Sequence, residues 1–215
     1  PILRGMLGMQ INAAKHEITL SPHVPADWTS FAIHDVRVAG AAVDIRYRKT
    51  ADSIVLEAKR IGTGDCWIEF SPAFGLRTQI VGAEMNGRPL AFKMQPNSND
   101  QHLVVRFRLY GGPNNLVIHV KNDFGLSLES DLPPLGSASR GLRVISESWN
   151  AARTQLTLDL SGRSGAHYEM AVWNPAQVSS VEGGVLTRSG RLQIQMPEGA
   201  GDSYVPQKVE IHFGH

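Results

Sequence analysis

Residues 36–48 read Val-Arg-Val-Ala-Gly-Ala-Ala-Val-Asp-Ile-Arg-Tyr-Arg, and this stretch decides the fold. Val43, Ile45 and Tyr47 fall on one face of an extended chain, while Asp44, Arg46 and Arg48 fall on the other, because successive strand side chains point to opposite sides. Val36 and Val38 approach through Ala39-Gly40-Ala41, a turn between two alternating runs, so the segment reads as a β-hairpin with one dry side and one wet side.

Working outward from it, the same period of two recurs and no window of twelve or more residues shows a helical repeat. Ser53 to Lys59, Cys66 to Phe70 and Arg77 to Met85 are further strand candidates. Asn86-Gly87 is the best turn signal, since both central positions of a type I′ turn need positive φ and these residues tolerate it. It should close a hairpin onto Pro89 to Lys93. A polar loop over 96–101 precedes the alternating Leu103, Val105, Phe107 and Leu109. Gly111-Gly112-Pro113 then breaks the chain before Leu116, Ile118 and Val120. Many short strands with turns between them predict an all-β chain, an antiparallel β-sandwich followed by a smaller β-rich domain. The divisions expected are a junction and first strand over 1–30, the sandwich over 31–131, a linker over 132–141 (LPPLGSASRG), and a small sheet domain over 142–215. In the last, Leu156 to Leu160, Tyr168 to Val172, Leu192 to Met196 and Val209 to Phe213 alternate, with Ser161 to Gly165 as a turn. Four strands alone would need the first domain to cover one face.

Upstream, residues 5–28 read GMLGMQINAAKHEITLSPHVPADW. Met6, Leu7, Met9 and Ile11 are interleaved with Gly5 and Gly8, which lets the backbone pass close to a neighbouring surface that the rest of the sequence does not supply. Glu17 to Leu20 alternates as a strand, and Pro22 and Pro25 then hold the chain extended up to Trp28. The Gly-x-Leu-Gly start, Leu20-Ser21-Pro22 and Val24-Pro25-Ala26-Asp27-Trp28 resemble the junction that follows the catalytic (α/α)6 barrel in bacterial glycoside hydrolases of the glycogen-debranching and amylo-α-1,6-glucosidase-like group. Val36 to Gly40 resembles the next strand and turn of those enzymes. The resemblance implies a non-catalytic C-terminal β-sandwich region, packing on and shaping a helical barrel that lies outside these 215 residues. Met6, Leu7, Met9 and Trp28 would then dock on the barrel of the parent chain. No catalytic residue can be carried over, because the carboxylates of that group belong to the barrel.

Composition narrows the alternatives. With 42% hydrophobic and 19% charged residues the chain is that of a globular protein. A net charge of +1, from 21 Lys and Arg against 20 Asp and Glu, supplies no field for nucleic acid or anionic lipid. No apolar run approaches the ~20 residues of a membrane span. Cys66, the single cysteine, excludes an internal disulfide and leaves the compartment open, with a secreted or periplasmic setting slightly favoured over a cytoplasmic one. The opening on Pro1 without an initiator Met is expected of a processed product or a fragment.

Each chemical motif has a bland reading beside it. The eight histidines are scattered, with no His-x-His and no His-Glu-x-x-His, so neither a metal nor any cofactor is expected. His119, between Ile118 and Val120, falls on a wet face. Asp65 and Glu69 flank Cys66-Trp67-Ile68, but a strand separates residues four apart by ~13 Å, beyond the roughly 5–10 Å that glycoside hydrolysis needs. Cys66 lacks a base and reads as a packed thiol. Gly62-Thr63-Gly64 lacks the helix of a phosphate cradle and reads as a hairpin loop. The alternating Arg46, Arg48, Arg106 and Arg108 form a basic stripe if their strands are neighbours.

The alternative function is a carbohydrate-binding module for an oligo- or polysaccharide. A flat aromatic face stacks on a sugar ring while amides take the hydroxyls. The candidates are Trp67, Trp149 with Asn150, and Trp173 with Asn174, although tryptophan in a sandwich core is commoner.

Overall fold

The computed structural model describes residues 2–128, 134–201 and 203–214, and the chain divides into two compact units, 1–123 and 124–215. The first opens on a helical turn, α1 (Ile2–Gly5). After it come β1 (Gln10–Asn12), β2 (Glu17–Leu20), β3 (Ser30–Val38), β4 (Ala41–Lys49), β5 (Ser53–Ile61), β6 (Trp67–Phe70), β7 (Ala73–Phe74), β8 (Gln79–Met85), β9 (Arg88–Pro89), β10 (Lys93–Pro96), β11 (Gln101–Arg108) and β12 (Gly112–Lys121). One sheet runs β1-β2-β6-β11-β10, with β7 also on β11; the other runs β3-β4-β5-β12-β8-β9. Ile18, Leu20, Ile68, Phe70 and Leu103 from the first sheet and Ile45, Leu56, Leu116 and Ile118 from the second share one buried cluster, which makes the unit a sandwich.

The hairpin that decides the fold forms as its period demands. Val43, Ile45 and Tyr47 are buried, and Arg46 and Arg48 are exposed. Val38 pairs with Ala41 across a two-residue turn in which Ala39 and Gly40 both have positive φ, 47° and 80°. Asn86 and Gly87 do the same at 51° and 75°. Pro89 is tolerated beyond that turn because β9 lies at the edge of its sheet, where a missing N–H costs no internal ladder bond.

Three local expectations are corrected. The strand expected over Pro89 to Lys93 splits: β9 stays on β8, while β10 crosses to the other sheet and pairs with β11. Gly62-Thr63-Gly64 is a crossover between sheets, from β5 to β6, and not a hairpin loop. The backbone of Gly64 passes so close to Ala39 that an added Cβ would lie 2.2 Å from the Ala39 carbonyl oxygen. The N-terminal stretch is not a separate junction either. β2 lies between β1 and β6 and pairs with β6 in parallel, Ile18 opposite Ile68 and Leu20 opposite Phe70. It is a parallel pair within an otherwise antiparallel unit, and the whole of β3 to β5 lies between its two strands in sequence.

The second unit carries β13 (Gly125–Leu128), β14 (Arg143–Trp149), β15 (Gln155–Arg163), β16 (His167–Trp173), β17 (Val178–Glu182), β18 (Val185–Leu186), β19 (Arg191–Gln195) and β20 (Tyr204–Phe213). They form two four-stranded sheets, β13-β16-β19-β18 and β14-β15-β20-β17. Leu156, Leu158, Leu160, Val209 and Ile211 of one sheet meet Met170, Leu192 and Ile194 of the other. The four strands read from sequence are thus the central ones of a two-sheet unit that has its own core and needs no cover from the first. The missed strands are peripheral: Arg143 to Ser148 are all exposed, so no apolar alternation marks them. The division between units falls at Asp123/Phe124 and not near 131, because β13 is hydrogen-bonded to β16. Of the expected linker, residues 132 and 133 lie outside the described residues. Its end is tied down: Tyr168 donates its hydroxyl to the Arg140 carbonyl at 2.8 Å, and Tyr204 donates to the Ser139 and Gly141 carbonyls. Gly162 and Arg163 continue β15, so the turn is shorter than Ser161 to Gly165. A side chain at Gly162 would strike Tyr168 and Met196 at 2.6 and 2.9 Å.

Candidate functional site

The amino-terminal stretch has two sides. Leu7, only 3% exposed, belongs to the core of the first unit, and half-buried Met9 packs against that core. Gly8, at φ 56°, passes so close to Ser21 that a Cβ would sit 2.6 Å from the Ser21 carbonyl oxygen. Backbone bonds close the seam: Ser21 N–H to the Leu7 carbonyl at 3.0 Å, His23 N–H to the Met6 carbonyl at 2.8 Å. The close neighbour that Gly8 serves is therefore the chain itself, and Leu7 is withdrawn as a docking residue because it is already enclosed. Ile2, Leu3 and Ile11 face outward instead, 55%, 44% and 46% exposed. With Arg4, Met9 and Gln10 they line a cleft of about 950 Å³. Met6 is half-buried, and Trp28, 36% exposed, stands elsewhere along the loop, its N–H bonded to the Pro25 carbonyl. Sequence reading singled out residues 5–28, of which Ile11 faces outward and Leu7 does not, and left out Ile2 and Leu3, which precede that stretch.

The aromatic candidates are engaged. Arg106 lies over the Trp67 ring, 4.1 Å from its centroid, and its Nε donates to Glu17 at 2.6 Å. Trp149 stacks on Phe213 at 5.3 Å and meets Phe124 edge-on. Asn150 shapes a turn, its Oδ1 accepting from the Thr154 and Gln155 N–H groups. Asn174, in the left-handed region at φ 57°, leads the short 3₁₀ turn Pro175–Gln177. Trp173 is half-buried at the end of β16.

The four arginines do not form one stripe. Arg46 and Arg48 ride on β4 and Arg106 and Arg108 on β11, in different sheets. Arg48 pairs with Glu57 and Arg108 with Asp65, each at 2.5 Å. The Arg108 guanidinium beside Asp65 holds that carboxyl below its usual range, the opposite of what a general acid requires. Burial pushes the Cys66 thiol up to about 11, so it stays protonated and inert at neutral pH.

Two clusters that linear spacing hides emerge from the fold. In the first unit His23, Asp100 and His102 present ligand-type atoms all within 4.8 Å of one another. In the second, Glu182, Glu210 and His212 do likewise on the neighbouring strands β17 and β20. His23 and Asp100 are 77 residues apart in sequence, so only the pairing of β2 beside β6 and β11 could bring them together. The signal open to sequence reading was His102 beginning an alternating strand two residues after an aspartate.

No family model matches this chain, and no curated protein matches it. Among solved structures it is similar to an alpha-L-rhamnosidase from Dictyoglumus thermophilum, at 13% identity and a TM-score of 0.32, over 54% of this chain and 12% of that one. The chain thus spans about an eighth of that protein's length.

Proposed function

We propose that this chain is a non-catalytic β-sandwich region of a glycoside hydrolase whose outward apolar face, Ile2, Leu3 and Ile11, packs on a catalytic helical barrel and steadies the loops at its rim. The observation that carries the reading is the division of labour within the amino-terminal stretch. Leu7, Ile18 and Leu20 anchor it in the sandwich core, which leaves Ile2, Leu3 and Ile11 rigidly presented around a cleft. An apolar cluster held in place by its own backbone bonds suits a permanent contact, where burial returns roughly 25 cal/mol per Å². The resemblance of residues 5–28 to the post-barrel junction of the glycogen-debranching group supplies the occupant. Nothing in this reading asks the chain to perform chemistry, and Asp65, held ionised by Arg108, is unsuited to it.

The test is twofold. Assayed on α-glucans and aryl glycosides, the 215-residue chain should give no turnover; measurable hydrolysis would overturn the proposal. In the parent protein, Ile2→Ser, Leu3→Ser and Ile11→Ser together should lower the melting temperature of the barrel while leaving the isolated chain within about 0.5 kcal/mol of wild type. Equal effects in both settings would show that the face serves only its own unit.

A further inference from the structure

We propose that His23, Asp100 and His102 form a binding site for a divalent transition metal ion, zinc in the first instance, that clips the proline-bounded loop after β2 to the β10–β11 hairpin. The argument begins with one imidazole. His102 Nδ1 lies 3.0 Å from the Ser71 backbone carbonyl and 3.2 Å from the Ser71 hydroxyl. A carbonyl oxygen can only accept, so Nδ1 carries the hydrogen and the Nε2 of the neutral ring holds a lone pair. That lone pair lies 3.6 Å from Asp100 Oδ2, itself an acceptor. Two acceptors this close are best served by a donor or a cation shared between them, and a cation can take both lone pairs at once. The same Oδ2 is 3.0 Å from His23 Nε2, and the two imidazole rings stand 4.7 Å apart.

The spacing matches a metal. Ligand bonds of about 2.0–2.1 Å in a tetrahedron put the ligand atoms roughly 3.3–3.4 Å from one another. Here the two pairs that share Asp100 are 3.0 and 3.6 Å apart, and all three ligand atoms lie within 4.8 Å. Two imidazoles and one carboxylate suit zinc and its neighbours better than the oxygen-seeking calcium or magnesium. The outer partners are those of metal sites: the Ser71 carbonyl orients His102, and Asn97 Nδ2 donates to Asp100 Oδ1 at 2.8 Å. The site is built for binding without deep enclosure, with the His102 side chain 12% exposed and that of His23 53% exposed. Three protein ligands leave a fourth position to water. The backbone around the site is pinned independently, by Ser71 N–H to the Leu20 carbonyl and Ala73 N–H to the Pro22 carbonyl, so the ligands converge without waiting for the ion.

Calorimetric titration of the chelator-treated 215-residue chain with zinc chloride, and with cobalt(II) followed by visible absorption, tests this. We expect one ion per chain, a tetrahedral cobalt spectrum, and a melting temperature raised by about 5–10 °C at a hundredfold excess over Kd. His23→Ala, on an exposed side chain whose loss leaves the fold intact, should weaken binding at least tenfold, and Asp100→Asn likewise. Absence of zinc and cobalt uptake at neutral pH would overturn the proposal. So would uptake unchanged in His23→Ala and Asp100→Asn but lost in His212→Ala, which would assign the ion to the Glu182, Glu210 and His212 cluster.

Discussion

The interiors of the two units are built differently. The first buries Ser71, Thr78, Asn114 and Asp123 among its apolar side chains, whereas the second, among the described residues, buries none that is polar. Both are sandwiches of similar strands, so the polar groups are not a requirement of the architecture. They mark where the first unit must hold irregular backbone. Asn114 fastens the turn between β11 and β12, its amide donating to the Tyr110, Gly112 and Ala58 carbonyls and accepting from the Tyr110 N–H. Asp123 receives Lys49 Nζ at 2.7 Å and the Thr78 hydroxyl at 3.1 Å, holding the end of β12 to β4 and to the loop before β8. The second unit meets the same need with tyrosine hydroxyls that reach from its rim. A core can therefore specify its loops either from within, by enclosed hydrogen bonds, or from outside, by long side chains, and the two choices fail differently.

The sharpest way to break this contrast is Asp123→Ala, which removes the buried carboxylate that Lys49 and Thr78 share and should cost about 3–5 kcal/mol. Because two units need not unfold together, peptide-resolved hydrogen exchange on the full chain is the measurement, and the loss should be confined to residues 2–123. A cost below about 1 kcal/mol would mean that the buried pair is idle. The counterpart in the apolar interior is Leu158→Ala, expected to cost about 2–5 kcal/mol and to be felt in peptides from 142–214. Asn114→Ala comes next, at about 1–3 kcal/mol, since it removes one acceptor and leaves several carbonyls unserved; Asn114→Asp should not rescue it, because a carboxylate cannot donate. The smallest expected effect is acid sensitivity. Asp44, Asp52 and Asp65, all in the first unit, are held below the usual carboxylate range; an Asp35 backbone N–H does this at Asp44, the Thr50 hydroxyl at Asp52 and Arg108 at Asp65. Their folded pKa values are depressed, so their contribution is complete above the unfolded value of about 3.9 and disappears as pH falls through the folded values. Exchange protection in residues 2–123 should accordingly fall as the pH drops below about 4, and Asp65→Asn should shrink that dependence.

Much of the fold was legible because burial on one side of a strand writes itself as alternation. Val43, Ile45 and Tyr47, or Leu156, Leu158 and Leu160, could hardly be read otherwise. Arg143 to Ser148 were not legible, because an edge strand exposed on both faces carries no such mark, and in Val178 to Glu182 only Val178 and Val181 touch the core, three apart and so out of the period of two. The splitting of Pro89 to Lys93 between two sheets depends on which partner each half meets, a long-range fact absent from local pattern. The same holds for the histidine cluster. His23 and His102 look unrelated until β2 is laid beside β6, and the period that assigns faces within a strand says nothing about which strands adjoin. The amino-terminal segment was found from its glycines and its apolar density, yet the separation of Leu7 from Ile2, Leu3 and Ile11 rests on a helical turn too short to print a repeat.

The parallel seating of β2 against β6 sets the order of events during synthesis. Glu17–Leu20 leaves the ribosome some fifty residues ahead of its parallel mate, which does not exist until Phe70 has emerged, and β11 must follow to close the other flank of β6. For that interval β2 can pair only with β1, and its β6-facing edge stays open, which favours slow, late closure. A shortened version beginning after Trp28 would carry that bare flank of β6 permanently and should self-associate.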